Sequence, residues 1–211
     1  MIISHAYKYV FLGTRKTGST ATELYLLQNL FEEGDICSRG FAGYPHPKVT
    51  KPSTEHVHPN TIAHWDMRYL IETSGVDITT YKIYAVLRDP FERIVSRAFY
   101  SNKGNSKNLF EARQILAKGY VDEDDRDWSQ SAYFKYNDEI LATVWDYKQL
   151  ATLLPEFVRS YGKEPTHPLQ QLKNSDRPAW ATTKAVLTPE IRQKISEVFA
   201  EDIELYNRYI R

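Results

Sequence analysis

Lys8-Tyr-Val-Phe-Leu-Gly-Thr-Arg-Lys-Thr-Gly-Ser-Thr20 is an apolar run that passes through a Gly/Lys/Ser/Thr turn into a helical pattern. A strand aims such a turn, and Gly13 and Gly18 permit tight or φ > 0 backbone within it. The first N–H groups of the following helix have no intrahelical acceptor and point at whatever negative group sits there. Arg15 and Lys16 add charge, and Ser19 and Thr20 add hydroxyl donors. The order strand, turn, helix therefore builds an anion site suited to a phosphate or a sulfate.

The stretch comes close to the phosphate-binding loop G-x-x-x-x-G-K-[ST] and departs from it at one decisive position. Gly13 and Gly18 have the right gap, but Ser19 stands where the lysine belongs, and the lysine is inside the loop at Lys16. In nucleotide hydrolases the lysine after the second glycine reaches the β/γ-phosphates, and the next hydroxyl ligates magnesium. Neither function is specified here. The turn reads as a site for a shorter anionic group without an obligatory metal.

A second segment narrows the choice. Ile83 to Leu87 is unbroken apolar sequence, short enough for a strand buried on both faces. Arg88-Asp-Pro-Phe-Glu-Arg-Ile-Val-Ser96 follows at once. Asp89 is a good N-cap, Pro90 suits the first helical position, and Glu92 completes a capping-box spacing. Arg88 is thereby expected at the carboxyl end of a strand, the edge where open α/β sheets bind ligands. Ser96, one turn beyond Glu92, is expected to meet an anion that Arg88 also holds. Capping alone accounts for Asp89, Pro90 and Glu92. It does not account for Arg88 at the strand tip or for Arg15 beside Lys16.

On these residues the chain resembles sulfotransferases that use 3′-phosphoadenosine 5′-phosphosulfate (PAPS) as sulfuryl donor. Lys16-Thr-Gly-Ser-Thr20 is similar to the family's loop for the 5′-phosphosulfate, and Arg88 with Ser96 to its 3′-phosphate motif. Trp128-Ser-Gln-Ser131, Leu172-Lys-Asn-Ser175 and Phe199-Ala-Glu-Asp-Ile-Glu-Leu-Tyr206 resemble recurring segments of the carbohydrate-type branch. The resemblance implies one sulfotransferase domain over residues 1–211. Its fold would be a three-layer α/β/α arrangement with a central, mainly parallel sheet, akin to the P-loop NTPases. It also implies a donor site of Arg15, Lys16, Thr17, Gly18, Ser19, Thr20, Arg88 and Ser96. Lys16 would be catalytic, stabilising charge on the oxygen that leaves with the phosphate. 3′,5′-Adenosine bisphosphate would be the product.

The acceptor needs a general base, and histidine titrates near working pH. Of His5, His46, His56, His58, His64 and His167, the pair His56 and His58 falls between the two donor motifs. Relatives of the carbohydrate type often have a histidine near that point. His58 is the first choice, with His56 and Glu55 as alternatives. His56-Val-His58 offers two zinc ligands without an evident third, so no metal is expected. A glycan hydroxyl is the first expectation for the acceptor, with a small metabolite or a tyrosine as alternatives.

Composition sets limits. At 211 residues the chain suits one domain with an ample core. Lys+Arg and Asp+Glu are both 27, so no basic excess favours nucleic acid or an anionic membrane. A single cysteine, Cys37, rules out an internal disulfide. No stretch approaches a membrane span, and the early first strand leaves no room for a signal peptide. A cytoplasmic enzyme of a bacterium, or of a virus infecting one, is the expectation.

Helical periods place helices from about Thr20 to Phe31 (Ala21, Leu24, Leu27 and Phe31 inward), from Asn60 or Thr61 to Gly75, from Lys107 to Lys118, and one last helix from Thr188. A strand is expected around Leu141 to Asp146, with a helix to Tyr161. Residues 38–60 lack a period and read as a binding loop, as does 101–135 in part. Lys173, Asn174, Ser175 and Arg177 form a late polar loop that in relatives closes over the adenosine. Two other readings remain: a P-loop kinase or hydrolase, which Ser19 argues against, and a binding module that has lost its chemistry.

Overall fold

The computed structural model describes residues 1–38, 67–72, 74–101, 106–119, 129–170 and 177–210. In chain order the described elements are β1 (Ile2–Ser4), β2 (Tyr9–Leu12), α1 (Ser19–Leu30), β3 (Ile36–Cys37), α2 (Met67–Glu72), β4 (Lys82–Leu87), α3 (Pro90–Ser101), α4 (Leu109–Gly119) and α5 (Ser131–Phe134). Then come β5 (Lys135–Tyr136), β6 (Glu139–Ile140), β7 (Thr143–Asp146), α6 (Leu150–Ser160), α7 (Thr183–Val186), α8 (Pro189–Val198) and α9 (Ala200–Tyr209). The chain divides into two compact units: Met1–Leu87 with Tyr133–Leu172, and Arg88–Ala132 with Lys173–Arg211.

The first unit contains a five-stranded sheet of order β3-β1-β2-β4-β7. β2 pairs in parallel with β4, and β4 with β7. β1 runs against both its neighbours, so β3, β2, β4 and β7 all point one way. The sheet is therefore mainly parallel, as expected, with one reversed strand that sequence reading did not find. β2 and β4 alternate sides, yet both faces are buried: Tyr9, Phe11 and Val86 on one, Val10, Leu12, Ile83, Ala85 and Leu87 on the other. This is how parallel strands within an α/β fold read.

One face packs against α1 and α6. Tyr25, Leu26 and Leu30 of α1 and Leu154, Phe157 and Val158 of α6 join Tyr9, Phe11 and Trp145 in a single apolar cluster. Phe157 is its hub, with ring centroids 5.2 Å from Tyr9, 4.9 Å from Tyr84, 4.9 Å from Trp145 and 5.1 Å from Tyr161, mostly edge to face. Such geometry suits the ring quadrupoles and adds to area burial. Burial pushes the Tyr161 hydroxyl up to about 12 and Tyr9 well above the ordinary phenol range.

α1 differs from the expected stripe. It buries Thr22, Glu23, Leu24, Tyr25, Leu26 and Leu30, while Ala21, Leu27 and Phe31 are only half-buried. The cause is a polar commitment of the helix. Glu23 Oε1 lies 2.9 Å from the Met1 amino group, which also donates to Ser38 Oγ at 2.6 Å. Asp35, also buried, accepts from Ser4 Oγ and from the His5 N–H, so the segment after α1 is pinned beside the β1–β2 turn.

In the second unit, Ile94, Val95, Ala98 and Phe99 of α3 pack with Ala112 and Leu116 of α4, Val186 of α7 and Ile191 and Ile195 of α8. Arg93 Nη2 lies 3.1 Å from Asp202 Oδ2, with the side chains 1% and 0% exposed. The expected last helix is two helices, broken at Phe199 (φ −111°, ψ 32°). The pattern hides this break, because Ile191, Ile195, Phe199, Asp202 and Tyr206 keep one helical spacing straight through it.

Phe157→Ala should lower the free energy of unfolding by about 3–5 kcal/mol, the usual cost of emptying a buried aromatic site. Phe157→Leu should cost much less. Chemical denaturation of both variants measures the difference.

Candidate functional site

The Gly13–Gly18 turn leaves β2 at Leu12, whose register partner on β4 is Ala85. Thr14 fixes the turn to that neighbouring strand: its hydroxyl donates to the Val86 carbonyl at 2.8 Å. Because that proton is committed, the Thr17 hydroxyl is the donor toward Thr14, with Oγ1 at 2.7 Å and the carbonyl oxygen at 3.0 Å. Both threonines are 0% exposed. Thr17 therefore uses its side chain inside the loop and offers a ligand only its backbone N–H.

The two glycines have different reasons. Gly18 has φ 76° and ψ 12°, left-handed backbone that a glycine adopts without strain. A Cβ there would also come within 3.0 Å of the Tyr147 ring. Gly13 does not have positive φ; a Cβ on it would sit 2.3 Å from Glu23 Oε1. The non-glycine residue at positive φ in the turn is Lys16, at 63°. Left-handed backbone in a residue with a Cβ costs about 1–2 kcal/mol and tends to mark a functional position. Lys16, Arg15, Gly18 and Thr20 are half-buried, whereas Ser19 is buried. α1 starts at Ser19 with no side-chain cap, and its first ladder bond runs from the Thr22 N–H to the Gly18 carbonyl at 3.0 Å. A helix N-terminus without a side-chain cap, with two cations in the turn before it, favours negative charge nearby.

β4 ends at Leu87, and Arg88 is the next residue. Asp89 caps α3 as expected, Oδ1 accepting from the Phe91 N–H at 2.9 Å and the Glu92 N–H at 3.1 Å. Arg88 Nε lies 3.9 Å from Glu92 Oε2. At that separation and partial exposure an ion pair is worth at most about 1 kcal/mol. Glu92 and Ser96 are one helical turn apart on α3, and Ser96 is buried at 6% exposure. Arg177 lies close enough to Arg88 to feel its charge: burial lowers its pKa, the Arg88 charge lowers it further, and Glu92 opposes both. The Arg177 guanidinium is braced by the Ala181 carbonyl and, at 3.1 Å, by Thr183 Oγ1.

His56, His58 and Glu55 lie outside the described residues, as do Lys173, Asn174 and Ser175. His5 bonds Tyr81 through Nδ1 at 2.7 Å and follows β1 directly, at the sheet edge opposite the turn. Sequence reading missed Gln130, which bonds both backbone polar groups of Arg88, and Tyr147, which packs on Gly18. Gln130 falls in the Trp128–Ser131 segment that resembles the family, but nothing local shows the role of either residue, because each acts on a partner remote in sequence. Among the described residues no group of three or more His, Cys, Asp or Glu could hold a metal ion, and no helix is long and apolar enough to cross a membrane.

Two parallel strands, one running through a turn into a helix and the other ending just before an arginine, define an open α/β sheet, a fold that binds ligands at the carboxyl edge of its strands. The sulfotransferase family model matches residues 1–183, and the chain belongs to that family. Comparison with curated proteins and with solved structures gives no significant match.

Gly18→Ala should lower stability by about 1–2 kcal/mol through left-handed strain alone, with the Tyr147 contact added. Gly13→Ala should also destabilise, but through displacement of Glu23. A double variant with Glu23→Ala should recover part of the Gly13 loss and none of the Gly18 loss, read from denaturant midpoints.

Proposed function

We propose that this sulfotransferase transfers the sulfuryl group of PAPS to an acceptor hydroxyl, with a glycan as the first expectation. The observation that carries the reading is the parallel pairing of β2 with β4, so that Leu12, just before the Lys16 turn, and Leu87, just before Arg88, end their strands at the same edge of the sheet. In this reading Arg15, Lys16, the Thr17 and Gly18 backbone, Ser19 and Thr20 hold the 5′-phosphosulfate. Arg88 and Ser96 hold the 3′-phosphate, with Arg177 adding charge. Both units then belong to one catalytic domain of the three-layer, P-loop-like kind. The interleaved chain favours this, since neither unit is a continuous segment.

The reaction forms a bond between the acceptor oxygen and sulfur while the bond from sulfur to the bridging phosphate oxygen breaks. The acceptor proton goes to the base, and the electron pair of the broken bond goes to the departing phosphate. Lys16 supplies a fixed positive charge where that pair accumulates, so it stabilises the transition state more than the ground state. Magnesium is unnecessary where Lys16, Arg15 and the α1 N-terminus cover the charge. His58 is the proposed base, with His56 or Glu55 in its place if it fails. The kinase or hydrolase reading is not favoured, because Ser19 occupies the lysine position that reaches a triphosphate.

Lys16→Ala should lose about a hundredfold or more in turnover, the scale of removing one oxyanion donor. Turnover at the wild-type rate would remove Lys16 from the catalytic role. The bisphosphate 3′,5′-adenosine bisphosphate should raise the melting temperature through mass action, with or without EDTA, and ATP-Mg should do so less. A larger response to ATP-Mg would return the kinase reading. For the base, kcat/KM should rise with pH through the histidine range near 6.5 as the imidazole loses its proton. His58→Ala should abolish that rise, and an unchanged ascending limb would move the role to His56 or Glu55.

A further inference from the structure

Gln130 and Asp202 belong to neither donor motif, yet a continuous set of hydrogen bonds joins them to Arg88. The Gln130 side-chain oxygen accepts from the Arg88 N–H at 2.8 Å, and its amide nitrogen donates to the Arg88 carbonyl at 2.8 Å. Arg88 lies after the last residue of β4 and before the cap of α3, where sheet and helix ladders are both interrupted. A single side chain therefore satisfies both of its backbone groups in the manner of one more strand.

Gln130 is held in turn. Asp202 Oδ2 accepts from the Gln130 N–H at 2.8 Å and from Arg93 Nη2 at 3.1 Å, while Oδ1 accepts from the Ser131 N–H at 3.0 Å. Gln130, Ser131 and Asp202 are all 0% exposed. The Asp202 charge is balanced by Arg93 on α3 and by two backbone donors, the arrangement that makes a buried carboxylate tolerable. Asp202 lies on α9, beyond the residues that the family model matches.

We propose that Gln130 is a positioning residue for the 3′-phosphate of the donor, and that Asp202 on α9 sets it in place. The inference rests on the donor reading above. An arginine discriminates a phosphate by its planar fork, which must be aimed within roughly 10–20° to make its bonds. The aim of the Arg88 side chain is set by its own backbone, and Gln130 clamps that backbone from both sides. Selectivity for a 3′-phosphorylated nucleotide thus depends on a residue that touches no ligand.

The test is a pair of affinities measured by titration calorimetry: 3′,5′-adenosine bisphosphate against adenosine 5′-monophosphate, which lacks the 3′-phosphate. Gln130→Leu has similar volume and no hydrogen bonds. It should weaken the bisphosphate by about tenfold and the monophosphate by less than about twofold, a five- to tenfold loss of selectivity or about 1.0–1.4 kcal/mol. Gln130→Glu keeps the acceptor for the Arg88 N–H and loses the donor to the carbonyl, so its selectivity should fall between wild type and Gln130→Leu. Asp202→Asn should shift the ratio in the same direction, and together with Gln130→Glu it carries the comparison should Gln130→Leu not fold. Equal weakening of both nucleotides, or an unchanged ratio in these variants, overturns the positioning role and leaves the donor reading standing. Wild-type protein that shows no preference for the bisphosphate overturns both.

Discussion

The hydroxyl of Thr14 donates to the carbonyl of Val86, and much of the candidate site depends on that bond. A turn that must present several N–H groups to one ligand cannot use those groups to hold its own shape. Here the shape is held from behind, by Thr14 on the neighbouring strand and by Thr17 folded back on Thr14. The bond also requires β4 to run beside β2 in parallel, so sheet topology and turn geometry impose each other. With the turn fixed this way, Lys16 can be held at positive φ and Gly18 can open α1 without a side-chain cap.

The sequence reveals features written in local chemistry and hides those written in distant partners. The Gly18 turn, the Asp89 cap with Pro90, and the apolar run of β4 each announce themselves within ten residues, and each was found where expected. The buried faces of α1 were harder, because Glu23 looks like a surface residue until the Met1 amino group and Ser38 are placed beside it. The reversed strand β1 is too short to show a period. Gly13 looks like a residue kept for positive φ and is instead kept small for Glu23. Gln130 and Asp202 lie in segments that resemble the family, but their burial was hidden for the same reason as that of Glu23. A polar residue in a polar stretch gives no sign that it is buried, and their partners lie 42 and 109 residues away.

Charge distribution tells a related story at larger scale. The chain has no formal net charge, so on the proposed donor reading attraction for an anionic nucleotide would be local rather than come from a general field. The arginines of the second unit are sorted to that end. Arg93 is neutralised by Asp202, with its guanidinium also 5.3 Å from the Phe199 ring, and so serves packing. Arg88 Nε lies 3.9 Å from Glu92 Oε2, a long contact at partial exposure. Arg177 is half-buried near Arg88, and both burial and that neighbour disfavour its charge. A phosphate dianion between such groups would relieve both penalties at once, which is why like charges held together by a fold so often mark an anion site.

The same sorting explains why the anchoring must be rigid. Two guanidinium groups that repel will drift apart unless their backbones are fixed by bonds that do not involve the guanidinium nitrogens facing the ligand. Arg88 gains this from Gln130 through its own N–H and carbonyl. Arg177 gains it differently, by spending Nε and Nη2 on Ala181 and Thr183. Two of the Arg177 guanidinium nitrogens are thus taken up within the protein, so on the proposed donor reading its contribution to anion binding would be mainly electrostatic. On that reading Arg177→Lys, which keeps the charge, should be tolerated better than Arg88→Lys, where the planar fork itself would make the contacts. If both lysine variants lost bisphosphate affinity to the same degree, this division of labour between the two arginines would be wrong.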